Sequence, residues 1–289
     1  MFKFKEKRTL PQRIVFGVVF VLFTIYAISL LYPFVWTFIS TMKDTGEYLD
    51  NPFGMPKRFT LYNFVRAYTE LKIEGVGLFG MFFNSLLLTG CTTFLAVFGS
   101  SCVAYCLSKY KFKGSGIIYA AAVFILIIPT TGCMPSLYKL MVKNNWTNNV
   151  LMTSILMGGC FGMYFMLMYG TFQSLSWTYA EAGFIDGAND FTVFFRIMLP
   201  QVRGPLLSLS LVCAIGVWNE YLYPYMFMDK HPTLSTGIYK FQIKILQGSE
   251  KNYPVFFAGI LISCLPMLLL FICFQEKLLE NTQAGGIKG

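Results

Sequence analysis

Long uninterrupted apolar runs constrain this chain more than any other feature. The first extends from about Ile14 to Ser40 with no charged side chain in it. A hydrocarbon core about 30 Å thick asks roughly 18 or more such residues of a spanning helix. Comparable runs recur at about 84–108, 117–137, 150–172, 206–228 and 254–275. Charged residues make up only 13% of the 289 positions, about half of what a soluble chain carries. The expectation is an all-α polytopic membrane protein with six transmembrane helices. The first apolar run is too long for a signal peptide, and no small-residue cleavage site follows it.

Charge sets the expected orientation. Lys3, Lys5, Lys7, Arg8 and Arg13 precede the first run, and Lys109, Lys111 and Lys113 follow the second. Short basic segments beside spans mark the cytoplasmic side, so residues 1–13 read as a cytoplasmic N-terminus and both termini lie inside. The net charge of +9 gathers next to spans, where it meets lipid headgroups rather than nucleic acid. The eight cysteines fall in or beside apolar runs without pattern and read as small packing residues, not as a disulfide framework or metal site. The one histidine, His231, sits in a polar loop and reads as surface.

Between the spans the pattern is uneven. Residues 41–82 mix acids and bases with breakers, and a short helix fits near Leu61–Leu71. Asn84 either lines a pathway or caps the second span, since Asn is a favoured N-cap. Pro129 and Pro135 predict a kink or break in the third span. A short outer loop is expected at Lys139–Asn149. Gly158 and Gly162 give a G-x-x-x-G spacing that lets two helices approach closely. The fifth run holds Trp218-Asn219-Glu220-Tyr221-Leu222, and Glu220 is the one charge clearly within a span. Such a carboxylate faces protein or water rather than lipid, either as a solute contact or as a structural tie.

One stretch is patterned beyond what a connector needs: Tyr179–Pro205, between the fourth and fifth runs. Glu181 and Ala182 suit a first helical turn. Asp186, Gly187, Asn189 and Asp190 form a breaker cluster. Phe191, Phe194, Phe195, Ile197 and Met198 supply an apolar face, and Pro200 ends it. The predicted local fold is helix, break, helix.

These residues resemble the EAA signature of ABC importer permeases. Glu181-Ala182-Gly183, three residues, Gly187, nine residues, Ile197-x-Leu199-Pro200 follow that family's spacing, with Gly183 where the family has Ala. Gly there loosens a helix by about 1 kcal/mol. Asp186-Gly187-Ala188 stand at the turn. Other segments are similar to the sugar-importer branch: Phe59–Phe64, Asn84-Ser85-Leu86, Ala104-Tyr105, Lys109–Gly114, Trp218–Leu222 and the Ala284–Gly289 ending. The resemblance implies a type I importer permease domain over 14–289, whose cytoplasmic loop at 173–205 carries a coupling helix. Glu181 would anchor an ATPase, Asp186 and Gly187 would turn the chain, and Ile197, Leu199 and Pro200 would pack the loop on its own subunit. Asn84, Asn219 and Glu220 are candidates for the pathway. The outer segment 229–253, with Gly248-Ser249-Glu250 at its tip, is a candidate contact for a binding protein.

The implied partners are a second permease, two copies of a cytoplasmic ABC ATPase, and an extracellular or periplasmic sugar-binding protein. The implied place is a prokaryotic plasma membrane. The chain has no Walker A pattern, so ATP and Mg belong to the partner ATPase and no cofactor is expected here. A secondary transporter would show coupling-ion ligands or internal repeats, and neither is visible. A membrane enzyme would need a nucleophile, base or metal constellation that one loop histidine and one buried glutamate do not make. Within the importer class a non-sugar solute stays open.

Overall fold

The computed structural model describes residues 9–128, 132–247 and 251–284. The basic residues Lys3 to Arg8, Pro129, the tip Gly248–Glu250 and the ending Gly285–Gly289 lie outside the described residues. Every expected span is occupied by a helix or by two helices in succession, and the described residues contain no named strand.

The chain divides into two compact units. The first comprises residues 1–70 and 242–262. It opens with α1, Leu10–Thr41, started by Pro11 in the first turn and by Gln12, whose side chain accepts from the Thr9 N–H at 3.0 Å. None of residues 10–35 is buried. A helix apolar all round has lipid or another protein as its counterpart. Short helices α2 (Thr45–Asp50) and α3 (Tyr62–Glu70) follow. The segment between them is tightly tied. Lys43 is fully buried and donates to the Asn51 and Pro52 carbonyls at 2.9 and 3.0 Å. Asn63 donates to the carbonyls of Thr41 and Lys43, both at 2.8 Å. Trp36 donates to the Pro52 carbonyl at 3.1 Å and packs on Phe53 and Phe257. These bonds satisfy the carbonyls that an irregular buried backbone would leave bare.

The second unit comprises residues 71–241 and 263–289. Its axis is α4, Leu78–Lys109, which passes through a π-helical turn at Phe94–Phe98 without ending. α4 and α1 are long and apolar enough by length and composition to cross a membrane. Then come α5 (Ser115–Ile127), α6 (Met134–Lys143), α7 (Val150–Met157) and α8 (Met163–Ser174). The Gly99–Lys109 half of α4 packs along α8, and its Leu78–Thr93 half packs on α7 and on α11, Arg203–Asn219. After α11 come α12 (Leu222–Phe227), α13 (Leu234–Leu246), whose last residues belong to the first unit, and α14 (Tyr253–Ala284), which begins in the first unit and continues in the second.

Several expectations need correction, though not the break in the third span: it falls after Ile127, and Pro135 sits in the first turn of α6. Pro suits that place because its missing N–H is unpaired there anyway. α6 also occupies much of the segment expected as the loop Lys139–Asn149. The fourth span is two helices, parted at Gly158–Gly162, where Gly162 takes φ +145°. Close approach does occur at Gly158: a Cβ there would stand 3.0 Å from Leu95 Cβ. The fifth span ends at Asn219 and restarts at Leu222. Segment 229–253 is mainly helical, through α13.

Candidate functional site

The patterned stretch folds as α9, Thr178–Ile185, a turn, and α10, Asp190–Gln201, which then bends by 78° into α11. Glu181 lies in the first turn of α9, where the exposed N–H groups favour an acid. Gly187 terminates α9 at φ +82°. The Ala188 N–H reaches back to the Gly183 carbonyl at 2.9 Å, and the Gly187 N–H to that of Phe184 at 3.0 Å. This is a Schellman end, which places one residue in the left-handed region and so selects glycine. Asn189 then starts α10 by accepting from the Thr192 N–H at 2.8 Å.

The core beneath holds this pair in place. Ala180, Val193, Phe194, Met198 and Val202 are buried with Ala104, Tyr105, Phe165, Met168 and Phe172 from α4 and α8. Gly183 faces α10 so closely that a Cβ would stand 2.5 Å from Ile197 Cδ1. Ile197 and Leu199 pack partly buried against the same core. Pro200 departs from expectation, since it is exposed. Residues 193, 194 and 198 turn inward, and on a helix that leaves 200 outward. Phe191 and Phe195 were expected on the inner face and are also exposed, at 76% and 49%. Glu181, Ala182, Ile185, Asp186 and Gly187 stand on the open side of the pair.

Two ties from the end of α4 were not legible in the sequence. Lys109 Nζ donates to the Leu175 carbonyl at 2.6 Å, and Tyr110 donates to Asp190 Oδ1 at 2.6 Å. Burial, with the bond to Asp190, pushes the Tyr110 hydroxyl well above its ordinary range, so it stays protonated and donating. The end of the second span thus grips the close of α8 through Lys109 and the start of α10 through Tyr110.

The pathway candidates meet around a second junction. Asn84 lies inside α4, which Gly77 precedes, so its expected role as a helix cap is wrong. It donates instead to the Pro232 carbonyl at 3.0 Å. Its neighbour Ser85 accepts from the Leu234 N–H at 2.8 Å. Ser235 in turn donates to the Trp218 carbonyl, freed where α11 ends, and Thr236 to the Tyr221 carbonyl, which also accepts from the Tyr225 N–H. Glu220 sits in that break, and its Oε1 accepts from the N–H groups of Leu222 at 2.6 Å and Tyr223 at 3.3 Å. It caps α12, which gives the carboxylate the structural tie that burial in a span requires. Asn219 is exposed and bonds only its own helix, at the Ile215 carbonyl. His231 is exposed.

Comparison with known proteins shows the family. The sequence model of the binding-protein-dependent transport system inner membrane component family matches residues 7–278. The probable ABC transporter permease YurM of Bacillus subtilis is 28% identical over 94% of this chain and 88% of its own length. The diacetylchitobiose uptake permease NgcG of Streptomyces coelicolor is 27% identical over 91% of this chain and 86% of its own. A solved bacterial ABC transporter that imports the acidic polysaccharide alginate shares the fold, with a TM-score of 0.74 over 94% of this chain at 22% identity. With the family model covering nearly its whole length, the chain belongs to the inner membrane components of binding-protein-dependent transport systems, the ABC importer permeases.

Proposed function

We propose that this chain is one of two unlike permease subunits of a sugar or oligosaccharide importer. It forms half of the pathway and takes its energy from a pair of cytoplasmic ATPases that hold ATP and Mg. Loop 173–205 and both termini face the cytoplasm. Segment 229–253 faces outside, where a sugar-binding protein delivers the solute. The sugar class follows the relatives, whose named cargoes are carbohydrates.

One observation supports the coupling role most. The pair α9–α10 is anchored from below by a buried core and from the side by Tyr110, while Glu181, Ile185 and Asp186 are left bare above. A rigid element with one open face can pass a partner's movement into the helices that flank it. Glu181 gives that face a charge for an ATPase cleft, and Ile185, at 85% exposure, gives it an apolar knob.

The test is sugar-stimulated ATP hydrolysis by the assembled complex in vesicles, with maltose, melibiose and diacetylchitobiose as probes. Glu181→Lys and Gly187→Pro should each abolish the stimulation while the subunits still assemble in the membrane. Wild-type stimulation in both variants would sink the coupling role. No response of the wild type to any sugar would sink the sugar assignment.

A further inference from the structure

A cavity of about 310 Å³ lies where three helices lose their regular hydrogen bonding. Its walls include Thr92, Ala96, Met157, Tyr164, Gly216 and Glu220. Thr92 and Ala96 bracket the start of the π-helical turn in α4, Met157 is the last residue of α7, and Glu220 stands in the break after α11. Within a membrane, irregular backbone persists only where protein covers it or where it lines a wet space. π-helical turns also recur at functional sites. The volume lies at the low end of the roughly 300–1,000 Å³ found for small-molecule sites.

Two side chains make this space more than a packing defect. Thr92 is 1% exposed, yet its hydroxyl has no hydrogen-bond partner. Buried hydroxyls are ordinarily paired, so the cavity it lines is where a partner belongs. Glu220 uses Oε1 to cap α12, while its Oε2 carries no hydrogen bond among the described residues. A free carboxylate oxygen and an unpaired hydroxyl, on two residues that line one small space, match a solute that carries several hydroxyl groups. The rest of the wall, Ala96, Met157, Tyr164, Cys213, Gly216 and Val217, is mostly apolar, with one aromatic ring among it, which suits the C–H face of a sugar ring.

We propose that this cavity receives one hydroxylated ring of the transported solute, with Glu220 Oε2 accepting from one of its hydroxyls and Thr92 hydrogen-bonded to another. The proposal rests on the sugar-importer reading. It places a solute contact within this subunit and adds Thr92, which the sequence reading did not single out.

The test uses the complete complex in vesicles, with its ATPase, partner permease and binding protein, and a labelled sugar that the wild type imports from the probes above. In Ala96→Cys, a small charged thiol reagent is applied during turnover and modification at position 96 is read by peptide mass spectrometry. The transported sugar should slow labelling at least about three-fold, and a sugar that is not imported should leave it unchanged. With saturating binding protein, Thr92→Val keeps the side-chain shape, removes one hydroxyl, and should lower uptake about five-fold. Thr92→Ser should restore uptake to within about two-fold of wild type. Equal labelling with and without transported sugar would overturn the proposal, as would wild-type uptake by Thr92→Val. Loss in Thr92→Val that Thr92→Ser does not restore would mark a structural role and overturn it too. Absence of any sugar uptake by the wild type would instead remove the sugar reading, and this proposal with it.

Discussion

At the scale of single residues, two glycines four positions apart do different work. Gly187 is needed for its backbone. At φ +82° a β-branched side chain is strained by about 1–2 kcal/mol, so Gly187→Val should loosen the Schellman end and weaken ATPase stimulation several-fold. Gly187→Asn, which tolerates that conformation better, should retain most of it; equal loss in both would refute the backbone explanation. Gly183 is needed for its size. Its missing Cβ makes room for Ile197 Cδ1, the end of a flexible side chain. Gly183→Ala should therefore be close to neutral in thermal stability, because a gain of about 1 kcal/mol in helix propensity offsets a small shift of that methyl. Gly183→Val has no such offset and should destabilise. The sequence pattern announced a turn glycine at Gly187 but not what Gly183 touches, since a contact between residues fourteen positions apart depends on how two helices cross. The same limit hid the partner of Asn84. Its type allowed a cap or a pathway role, and the packing of α4 against the 232–236 segment removes the cap and shows a tie.

At the scale of elements, paired prolines made one break readable and the others were not: the fourth span parts at Gly158–Gly162, which read only as a close-packing motif. Pro135 announced the break in the third span. The fifth span breaks between Asn219 and Leu222 without either residue type there, because the break is stabilised from outside. Ser235 takes up the freed Trp218 carbonyl, Thr236 ties Tyr221, and Glu220 caps the restart. The π-helical turn in α4 leaves no mark in composition. The exposed faces of α10 were misjudged for a related reason: a five-phenylalanine-and-aliphatic pattern says that a helix is apolar, and only its register against α4 and α8 says which rings are covered. The grip of Tyr110 on Asp190 belongs at this scale, because it ties one element to another. Tyr110→Phe removes a hydrogen bond to a carboxylate, a contribution of about 1.5–3 kcal/mol, without changing ring packing. The expected result is a lower melting temperature of the purified complex with a normal core, checked by detergent-phase thermal denaturation. An unchanged melting temperature would mean that water replaces the bond at no cost.

At the scale of the whole molecule, the sequence was legible in class and family and silent on completeness. The apolar runs announced a polytopic helical protein, and the signature spacing announced the permease family. Neither could show that α1 would be left bare. A single chain that exposes residues 10–35 of an apolar helix, with Phe20 and Phe23 among them, is built to be covered. Membership in a binding-protein-dependent family supplies the kinds of partner in general, an ATPase and a binding protein. The expected outcome of a gentle-detergent pull-down of the tagged chain from its native host is recovery of a second permease and an ATPase in comparable amounts, by mass spectrometry. If α1 is covered by protein, placing a charge at Phe20 or Phe23 as Phe20→Arg or Phe23→Arg should reduce the yield of the second permease while leaving the ATPase contact through α9 in place. If lipid alone covers it, the same changes should lower insertion and bring all partners down together. Recovery of the chain alone, even after crosslinking in membranes, would contradict both arrangements and leave α9 without the partner its open face requires.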